Sequence, residues 1–233
     1  MIQAVGVVIP AHNEEDLLPS CLAAVRRAAR MLGPAPVHLV VVADACDDRT
    51  AELARAGAAE VVEVRAWSVG VAREAGVREV LRRTRHLDPS AVWLAMTDAD
   101  TLVPPSWLRQ QLDYADAGWD AVVGTVTVAD WGQQPAEVPA LFRQLYGAGQ
   151  ETHPHVHGAN LGVSAQAYLA AGGFSPSPTA EDHALVESLS AAGRRLLRTT
   201  RMPVVTSARR HARAPRGFSH LLSTLAAIQP GIS

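Results

Sequence analysis

Two aspartates, Asp98 and Asp100, stand one residue apart directly after the apolar run at 91–96. Carboxylates in this arrangement can divide the work, one binding a divalent cation and the other a ribose hydroxyl or a metal-bound water. Hard oxygen ligands suit Mg²⁺ or Mn²⁺. A helix-capping turn before Pro104 is the alternative explanation of the spacing. The apolar run favours a functional pair, because carboxylates held beside a buried strand repel each other unless a cation or hydrogen-bond donors compensate.

Other polar side chains also follow apolar runs. His12 and Glu14 come after the first such run of the chain, and Asp44 comes after the second. Ligands of open α/β sheets bind beyond the carboxyl ends of the strands, where loops and helix N-termini converge. The sequence therefore predicts that three strand ends, those before His12, Asp44 and Asp98, meet at one site.

Residues 179–182 read Thr-Ala-Glu-Asp and introduce a helical pattern. A threonine followed three residues later by an acid is typical of a helix-capping box, and acids favour the positive end of the helix dipole. By its spacing alone, Asp182 is better explained as a capping residue than as a catalytic one.

Histidines alternate at 153, 155 and 157. An extended chain would place all three on one face, where they could bind a transition metal. An ordinary loop is the favoured interpretation, and we expect Gly158 and Asn160 to shape a backbone turn beside it.

A basic cluster lies beyond residue 206. It consists of Arg209, Arg210, His211, Arg213 and Arg216. One interpretation is a solvated tail, and the other is a flexible lid whose arginines bind phosphate groups of a ligand.

The elements that must position these residues alternate between strand-like and helix-like patterns. Short β-branched runs separated by amphipathic stretches are typical of βαβ units that build a mostly parallel sheet. The predicted strands are 5–9, 38–42, 61–64, 91–96 and 120–128. The predicted helices are 14–31, 50–56, 69–83, 137–146 and 182–192, with another beginning at Pro104-Pro105, a short one inside the glycine-rich stretch 157–174 and an amphipathic end at 218–228. We expect one α/β domain with helices on both faces of the sheet.

The composition is that of an ordinary globular chain, with 48% hydrophobic and 19% charged residues among 233. Its 21 basic and 23 acidic side chains nearly cancel, which argues against non-specific binding of nucleic acid. Cys21 and Cys46 are too few for a disulfide framework. The sequence shows no signal peptide and no membrane-spanning run, so we expect a cytoplasmic protein, with peripheral membrane contact and homo-oligomers both open.

In this order, the motifs resemble those of glycosyltransferase family 2, whose members have the GT-A fold. Residues 8–14 resemble its opening strand and loop, 42–50 its second nucleotide loop, 70–76 a further motif and 97–101 its DxD motif, while 157–160, 172–174 and 181–182 resemble acceptor-side and catalytic motifs. The resemblance covers roughly residues 3–206. It implies a GT-A domain over 1–206, with a nucleotide-binding half to about 103 and an acceptor half from about 104, followed by the basic segment 207–233 as a lid.

The resemblance also implies a site for a nucleotide-diphosphate sugar. The donor residues would be Pro10, Ala11, His12, Glu14, Asp44, Arg73, Asp98 and Ala99, with Asp44 on the base and Asp98 on the ribose. Asp100 would bind the divalent cation, Mn²⁺ or Mg²⁺, and His211 would complete its shell. Such a cation neutralises charge on the diphosphate as the glycosyl bond breaks.

For catalysis, the resemblance makes Asp182 the general base that takes a proton from an acceptor hydroxyl during direct, inverting displacement. Gly158, Asn160 and Glu181 would lie on the acceptor side. The class of acceptor is not predicted.

The sequence departs from the family pattern at several positions. Ala43 and Ala45-Cys46 replace the usual Asp and Gly-Ser, and Glu74 replaces Asn, so the donor's base and sugar are not predicted. No Gln-x-x-Arg-Trp element follows Asp182, which favours transfer of a single sugar over processive synthesis. A nucleotidyltransferase stays open, although the loop at 10–15 is acidic rather than glycine-rich and basic. A non-catalytic nucleotide-sugar or carbohydrate-binding module also stays open.

Overall fold

The computed structural model describes residues 1–33, 35–132, 134–146, 151–175, 180–209 and 218–227. Within these ranges, the strands are Ala4–Ala11 (β1), Val37–Asp44 (β2), Glu60–Val64 (β3), Val92–Met96 (β4), Thr101–Leu102 (β5), Ala121–Thr127 (β6), Leu161–Ser164 (β7) and Leu196–Thr206 (β8). They form one sheet in the order β3-β2-β1-β4-β7-β6-β8-β5. β3, β2, β1 and β4 are parallel; β7 is antiparallel to both its neighbours, β6 and β8 are parallel, and β5 is antiparallel to β8.

The helices cover both faces of this sheet, as the sequence predicts. In the described ranges they are Leu18–Arg30 (α1), Thr50–Ala56 (α2), Val69–Arg83 (α3), Trp107–Asp116 (α4), Val138–Leu145 (α5), Ala165–Ala170 (α6), Glu181–Ala191 (α7) and Phe218–Ala227 (α8). Short 3₁₀ turns occupy Pro89–Ala91 and Gly158–Asn160.

β1 is buried on both faces because it lies between two helical layers. Val7 and Ile9 belong to the core cluster with α1, α4, α5 and α8, whereas Val8 belongs to the cluster with α3, α6 and α7. Parallel strands covered on both sides have nearly continuous apolar sequences, which is why β1 could be recognised from five consecutive residues.

Two glycines allow α3 to lie directly on the sheet. A Cβ on Gly6 of β1 would fall 2.3 Å from Val80 Cγ1, and one on Gly76 of α3 would fall 2.4 Å from Val8 Cγ1. Any larger residue would push the helix away from the strand. This close packing carries the first turns of α3 to the carboxyl end of β1.

The first helix begins later than predicted. α1 begins at Leu18, whereas the sequence pattern predicts a helix from Glu14. Pro19 falls in the first turn, the helical position where a missing amide hydrogen costs nothing. Residue 14 therefore lies in a loop, where its backbone carbonyl accepts from the amides of Leu17 and Leu18.

Strand β7 was not predicted, because its sequence looks like a glycine-rich loop. It inserts between β4 and β6, and a Cβ on Gly162 would fall 2.2 Å from Gln111 Oε1 on α4. Glycine weakens the local strand pattern, but the packing against α4 requires it here. β8 was not predicted either; it runs from Leu196 to Thr206 and pairs with β6.

Candidate active site

A cavity of about 660 Å³ opens at the carboxyl ends of β1, β2 and β4. Twelve of the fourteen site residues predicted from the sequence line it: Pro10, Ala11, His12, Glu14, Asp44, Arg73, Asp98, Ala99, Asp100, Gly158, Glu181 and Asp182. The structure therefore brings the three predicted strand ends together, and it adds the start of α7 to the same site.

The loop after β1 is tied to the loop after β2. His12 Nδ1 donates to the backbone carbonyl of Asp44 at 2.7 Å. The amide of Glu14 donates to Thr50 Oγ1 at 2.7 Å. Asn13 adopts a left-handed φ of 52°, a conformation that asparagine tolerates better than most residues. These contacts fix the first wall of the cavity.

Asp44 organises the loop that leads into α3. Its Oδ1 atom accepts from the amides of Ala66 and Trp67 at 2.7 and 3.0 Å, and its Oδ2 atom accepts from the amide of Ser68 at 2.8 Å. The Asp44 carboxylate is buried, so these three donors compensate its lost hydration. A contact between Asp44 and a base stays a prediction beside this role.

Arg73, on α3, joins two predicted site residues at the floor of the cavity. Its Nη2 atom donates to Asp98 Oδ1 at 2.5 Å, and its Nη1 atom donates to Glu181 Oε1. Burial alone would lower the pKa of the guanidinium, but the charges of Asp98 and Glu181 outweigh it and raise that pKa. Burial also raises the pKa of the Glu181 carboxyl, and Arg73 opposes that shift. Glu181 thus holds α7 against Arg73.

A second arginine, Arg209, contacts two further acids of the cavity, Glu14 and Asp100. Its Nη1 atom donates to Glu14 and lies 2.8 Å from each of the two carboxylate oxygens of that residue. Its Nη2 atom lies 3.0 Å from Asp100 Oδ2. Burial raises the pKa of Asp100 to about 6; Arg209 opposes the shift, whereas the charges of Asp98 and Glu14 reinforce it. A further positive charge beside Asp100 would therefore stabilise its ionised form.

The cavity as a whole carries excess negative charge. Six carboxylates and two guanidinium groups belong to the described lining, which gives a formal charge of −4 with the histidines neutral. No three His, Cys, Asp or Glu side chains in the described ranges converge as a complete metal shell. Mg²⁺ needs only one or two carboxylates when substrate phosphates and waters supply the other ligands. Asp100 therefore fits a divalent cation that binds together with a diphosphate.

Asp182 occupies the second position of α7 and faces the 3₁₀ turn at 158–160. Its Oδ2 atom accepts from the amide of Gly158 at 2.8 Å, and Oδ1 accepts from the amide of His183 at 2.8 Å. Ala180, with a left-handed φ of 61°, precedes the helix and makes no side-chain cap. Thr179 of the predicted capping box lies outside the described residues. Asp182 thus connects α7 to the Gly158 turn and lines the cavity.

Aromatic rings form the wall that faces the α5 and α8 side of the cavity. His153, His155 and His157 stack on one face with centroids 6.1 and 6.2 Å apart, as their alternation predicts, and His155 and His157 line the cavity. Tyr146 stacks on His155 at 4.1 Å and shares a 2.6 Å hydrogen bond with His157 Nε2. Burial lowers the pKa of His157 to about 4, although Asp182 opposes the shift. Phe218 contacts His157 edge-on.

Asn160 is the predicted acceptor-side residue whose side chain does not line the cavity. It is fully buried and connects three elements: Nδ2 donates to the carbonyls of Thr125 and Met202 at 2.8 and 2.6 Å, and Oδ1 accepts from Trp107 Nε1 at 2.9 Å. Its observed contacts are structural. His211, the predicted second metal ligand, lies outside the described residues.

Among the cavity residues that sequence reasoning did not single out are two with large aromatic side chains, Trp67 and Tyr146. Trp67 is 72% exposed at the mouth, and Tyr146 is half-buried in the aromatic wall. A tryptophan beside a helix-capping serine, before α3, was the available signal for Trp67. Tyr146 ends a helical pattern, and that pattern carries no signal for a cavity position.

Comparison with known proteins agrees with this architecture. Residues 6–167 match the sequence profile described as Glycosyl transferase family 2. The chain is 34% identical over 144 residues to an undecaprenyl-phosphate 4-deoxy-4-formamido-L-arabinose transferase of Pectobacterium atrosepticum, covering 62% of this chain and 41% of that protein. It is 36% identical over 119 residues to a dolichyl-phosphate hexose transferase of Haloferax volcanii, covering 51% and 46%. The chain spans less than half the length of either relative.

The fold also matches a solved structure. The mannosyltransferase PcManGT from Pyrobaculum calidifontis, in complex with GDP-Man and Mn²⁺, superimposes with a TM-score of 0.63 at 20% identity, covering 97% of this chain and 70% of that one. The predicted GT-A fold is thereby confirmed. Among the described helices, none is long and apolar enough to cross a membrane. With a family profile matched over well beyond half of its length, this chain belongs to glycosyl transferase family 2.

Proposed function

We propose that this chain transfers a single sugar from a nucleotide-diphosphate sugar to an acceptor hydroxyl, with a divalent cation bound at Asp100. The observation that carries the proposal is that Asp98 and Asp100 line one cavity together with Asp182, which is distant from them in the sequence. Family membership favours this reaction over nucleotidyl transfer and over mere sugar binding. The solved mannosyltransferase, which holds GDP-Man and Mn²⁺, supports the choice of donor and cation class.

The charge of the cavity explains why donor and cation should bind together. A diphosphate alone would enter a lining with an excess of four negative charges. When bound, a divalent cation acts as a Lewis acid that stabilises the departing diphosphate. Asp100 would hold it, while Asp98, already oriented by Arg73, would accept from a ribose hydroxyl.

Asp182 is placed to act as the general base. Each of its carboxylate oxygens accepts one backbone hydrogen bond, from Gly158 or from His183, so the group has a fixed orientation and retains free lone pairs. It would take the proton of the acceptor hydroxyl as that oxygen attacks the anomeric carbon. Direct displacement inverts the configuration at that carbon, and a positioned base contributes roughly 10²–10⁴-fold to the rate.

Two variants test the proposal. We expect Asp182→Asn to bind the donor normally and to lose transfer by about 10²-fold or more. Asp100→Ala should fold but lose cation-dependent donor binding, measured calorimetrically with and without Mn²⁺. Asp116→Asn, at an exposed position of α4, is the control. Normal transfer by Asp182→Asn with a hydroxyl acceptor would return Asp182 to a structural role.

A lipid phosphate is the second candidate acceptor. The two curated relatives are named for undecaprenyl phosphate and dolichyl phosphate, and one side of this cavity is apolar, with Leu145, Val156, Phe218 and Leu221 in its lining. A phosphate oxygen is already ionised at neutral pH and needs no general base. Transfer to a prenyl phosphate that survives in Asp182→Asn would therefore favour this second acceptor class.

A further inference from the structure

Trp67 is presented to the cavity in an unusual way. All five tryptophans lie in the described part of the chain, and Trp67 alone among them is exposed, at 72%. Its φ of 50° lies in the left-handed region, where bulky residues are rare outliers. Such backbone strain persists only where the surroundings impose it, and it concentrates at ligand-binding positions.

The carboxylate of Asp44 holds the Trp67 backbone in this left-handed conformation. That carboxylate accepts from the backbone amides of residues 66, 67 and 68, so the strained peptide is held from below by a buried acid at the end of β2. The loop is rigid at its backbone and displays an aromatic ring to solvent.

A second ring lies beside it. The His12 imidazole centroid is 4.7 Å from the Trp67 ring at an interplanar angle of 56°, and both residues line the cavity. His12 is itself fixed by its hydrogen bond to the Asp44 carbonyl. One end of the cavity thus has two ring surfaces, both positioned by Asp44.

The order of the strands places Trp67 away from the cation site. Trp67 follows β3, Asp44 follows β2, His12 follows β1, and Asp98 and Asp100 follow β4. Three strand spacings of about 4.8 Å separate β3 from β4, or roughly 14 Å. A nucleoside diphosphate with its phosphates at Asp100 would therefore extend its base toward Trp67.

We propose that Trp67 is the stacking platform for the donor's nucleobase, with His12 as the neighbouring ring; this rests on the proposed use of a nucleotide-diphosphate donor. Every base presents a π-face, so an indole contributes affinity without selecting one base by hydrogen bonding. The same strained loop gives the position a second property. A residue that tolerates a left-handed φ can replace the tryptophan without loss of fold stability.

The test is a titration of the full chain with UDP and with GDP, each with and without Mn²⁺, monitored by calorimetry and by tryptophan fluorescence. A separate fluorescence titration uses phospholipid vesicles. We expect nucleotide binding to quench the parent's fluorescence. Trp67→Asn should weaken the nucleotide by at least about fivefold, the lower end of base stacking on an aromatic ring. Its thermal midpoint should be no lower than the parent's. Trp67→Phe should keep most of the affinity and lose the quenching. Trp119→Phe, at a half-buried tryptophan outside the cavity, should behave as the parent does.

The outcomes separate the two proposals. If the parent binds neither nucleotide, the proposed donor and this inference both fall. If it binds one with equal affinity in the parent and in folded Trp67→Asn, only the stacking role falls. A fluorescence change with phospholipid vesicles but none with nucleotides would overturn the inference in favour of membrane contact.

Discussion

The Nη2 atom of Arg209 lies 3.0 Å from Oδ2 of Asp100, so a guanidinium group occupies one side of the carboxylate to which we assign the cation. The same arginine donates to Glu14. Since a guanidinium and a divalent cation repel each other, binding of one near Asp100 opposes binding of the other.

Removal of this arginine should therefore strengthen cation binding in the absence of donor. We expect Arg209→Gln to bind Mn²⁺ on the order of tenfold more tightly than the parent, about 1.4 kcal/mol. The measurement is the signal of free Mn²⁺ in electron paramagnetic resonance. Arg201→Gln, which removes an exposed pair with Glu151, is the matched control. Equal or weaker Mn²⁺ binding by Arg209→Gln would contradict the assignment of Asp100.

Removal of one partner of the buried pair of Arg73 and Glu181 should destabilise the fold more than removal of both. Loss of one partner leaves the other charge buried, so we expect Arg73→Met to lower the free energy of unfolding by about 3–5 kcal/mol. The double variant Arg73→Met/Glu181→Gln should recover part of this loss. Urea denaturation of all four proteins in the cycle measures the coupling.

A surface pair supplies the comparison for that cycle. Arg55 and Glu63 form an ion pair in which both side chains are more than half exposed. Arg55→Met should therefore change the free energy of unfolding by about 1 kcal/mol or less. If Arg73→Met costs no more than Arg55→Met, the buried pair does not hold α7 in place.

His157 should make the protein sensitive to mild acid. Its folded pKa of about 4 lies below the ordinary value near 6.5, so only the unfolded chain takes up this proton between those values. Stability is then present above about pH 6.5 and falls as pH decreases toward 4, by at most about 1.4 kcal/mol per pH unit. His157→Gln should reduce the pH dependence of the thermal midpoint across this window, whereas His86→Gln, at an exposed position, should not.

Asn160 should matter for stability and leave donor binding intact. Asn160→Ala strands the Trp107 indole N–H and two buried carbonyls, so we expect a loss of about 2–4 kcal/mol in unfolding free energy. The folded fraction should bind nucleotide with parental affinity in calorimetry. Gln144→Ala, at an exposed position of α5, should change stability by no more than about 0.5 kcal/mol. A selective loss of acceptor use without destabilisation would restore the predicted acceptor-side role.

Local patterns were sufficient for most of the first half of the chain. The predicted bounds of α2 and α3 are those observed, and β1 to β4 differ from their predictions by at most two residues at either end. Alternation of apolar strands with amphipathic helices is a property of neighbouring residues, so it is legible without knowledge of the fold. β7 could not be predicted because its glycine is required by contact with Gln111 on α4, a residue distant in sequence.

The sequence by itself determined which strand ends carry polar residues, and the rule for parallel sheets then predicted that His12, Asp44 and Asp98 converge. Only the tertiary structure decided which arginine pairs with which acid in the cavity. Arg73 meets Glu181 across 108 positions, and Arg209 meets Glu14 across 195. Side chains so far apart in sequence become neighbours through the packing of α3, α7 and the segment after β8. No periodicity or spacing within a local stretch encodes such a contact.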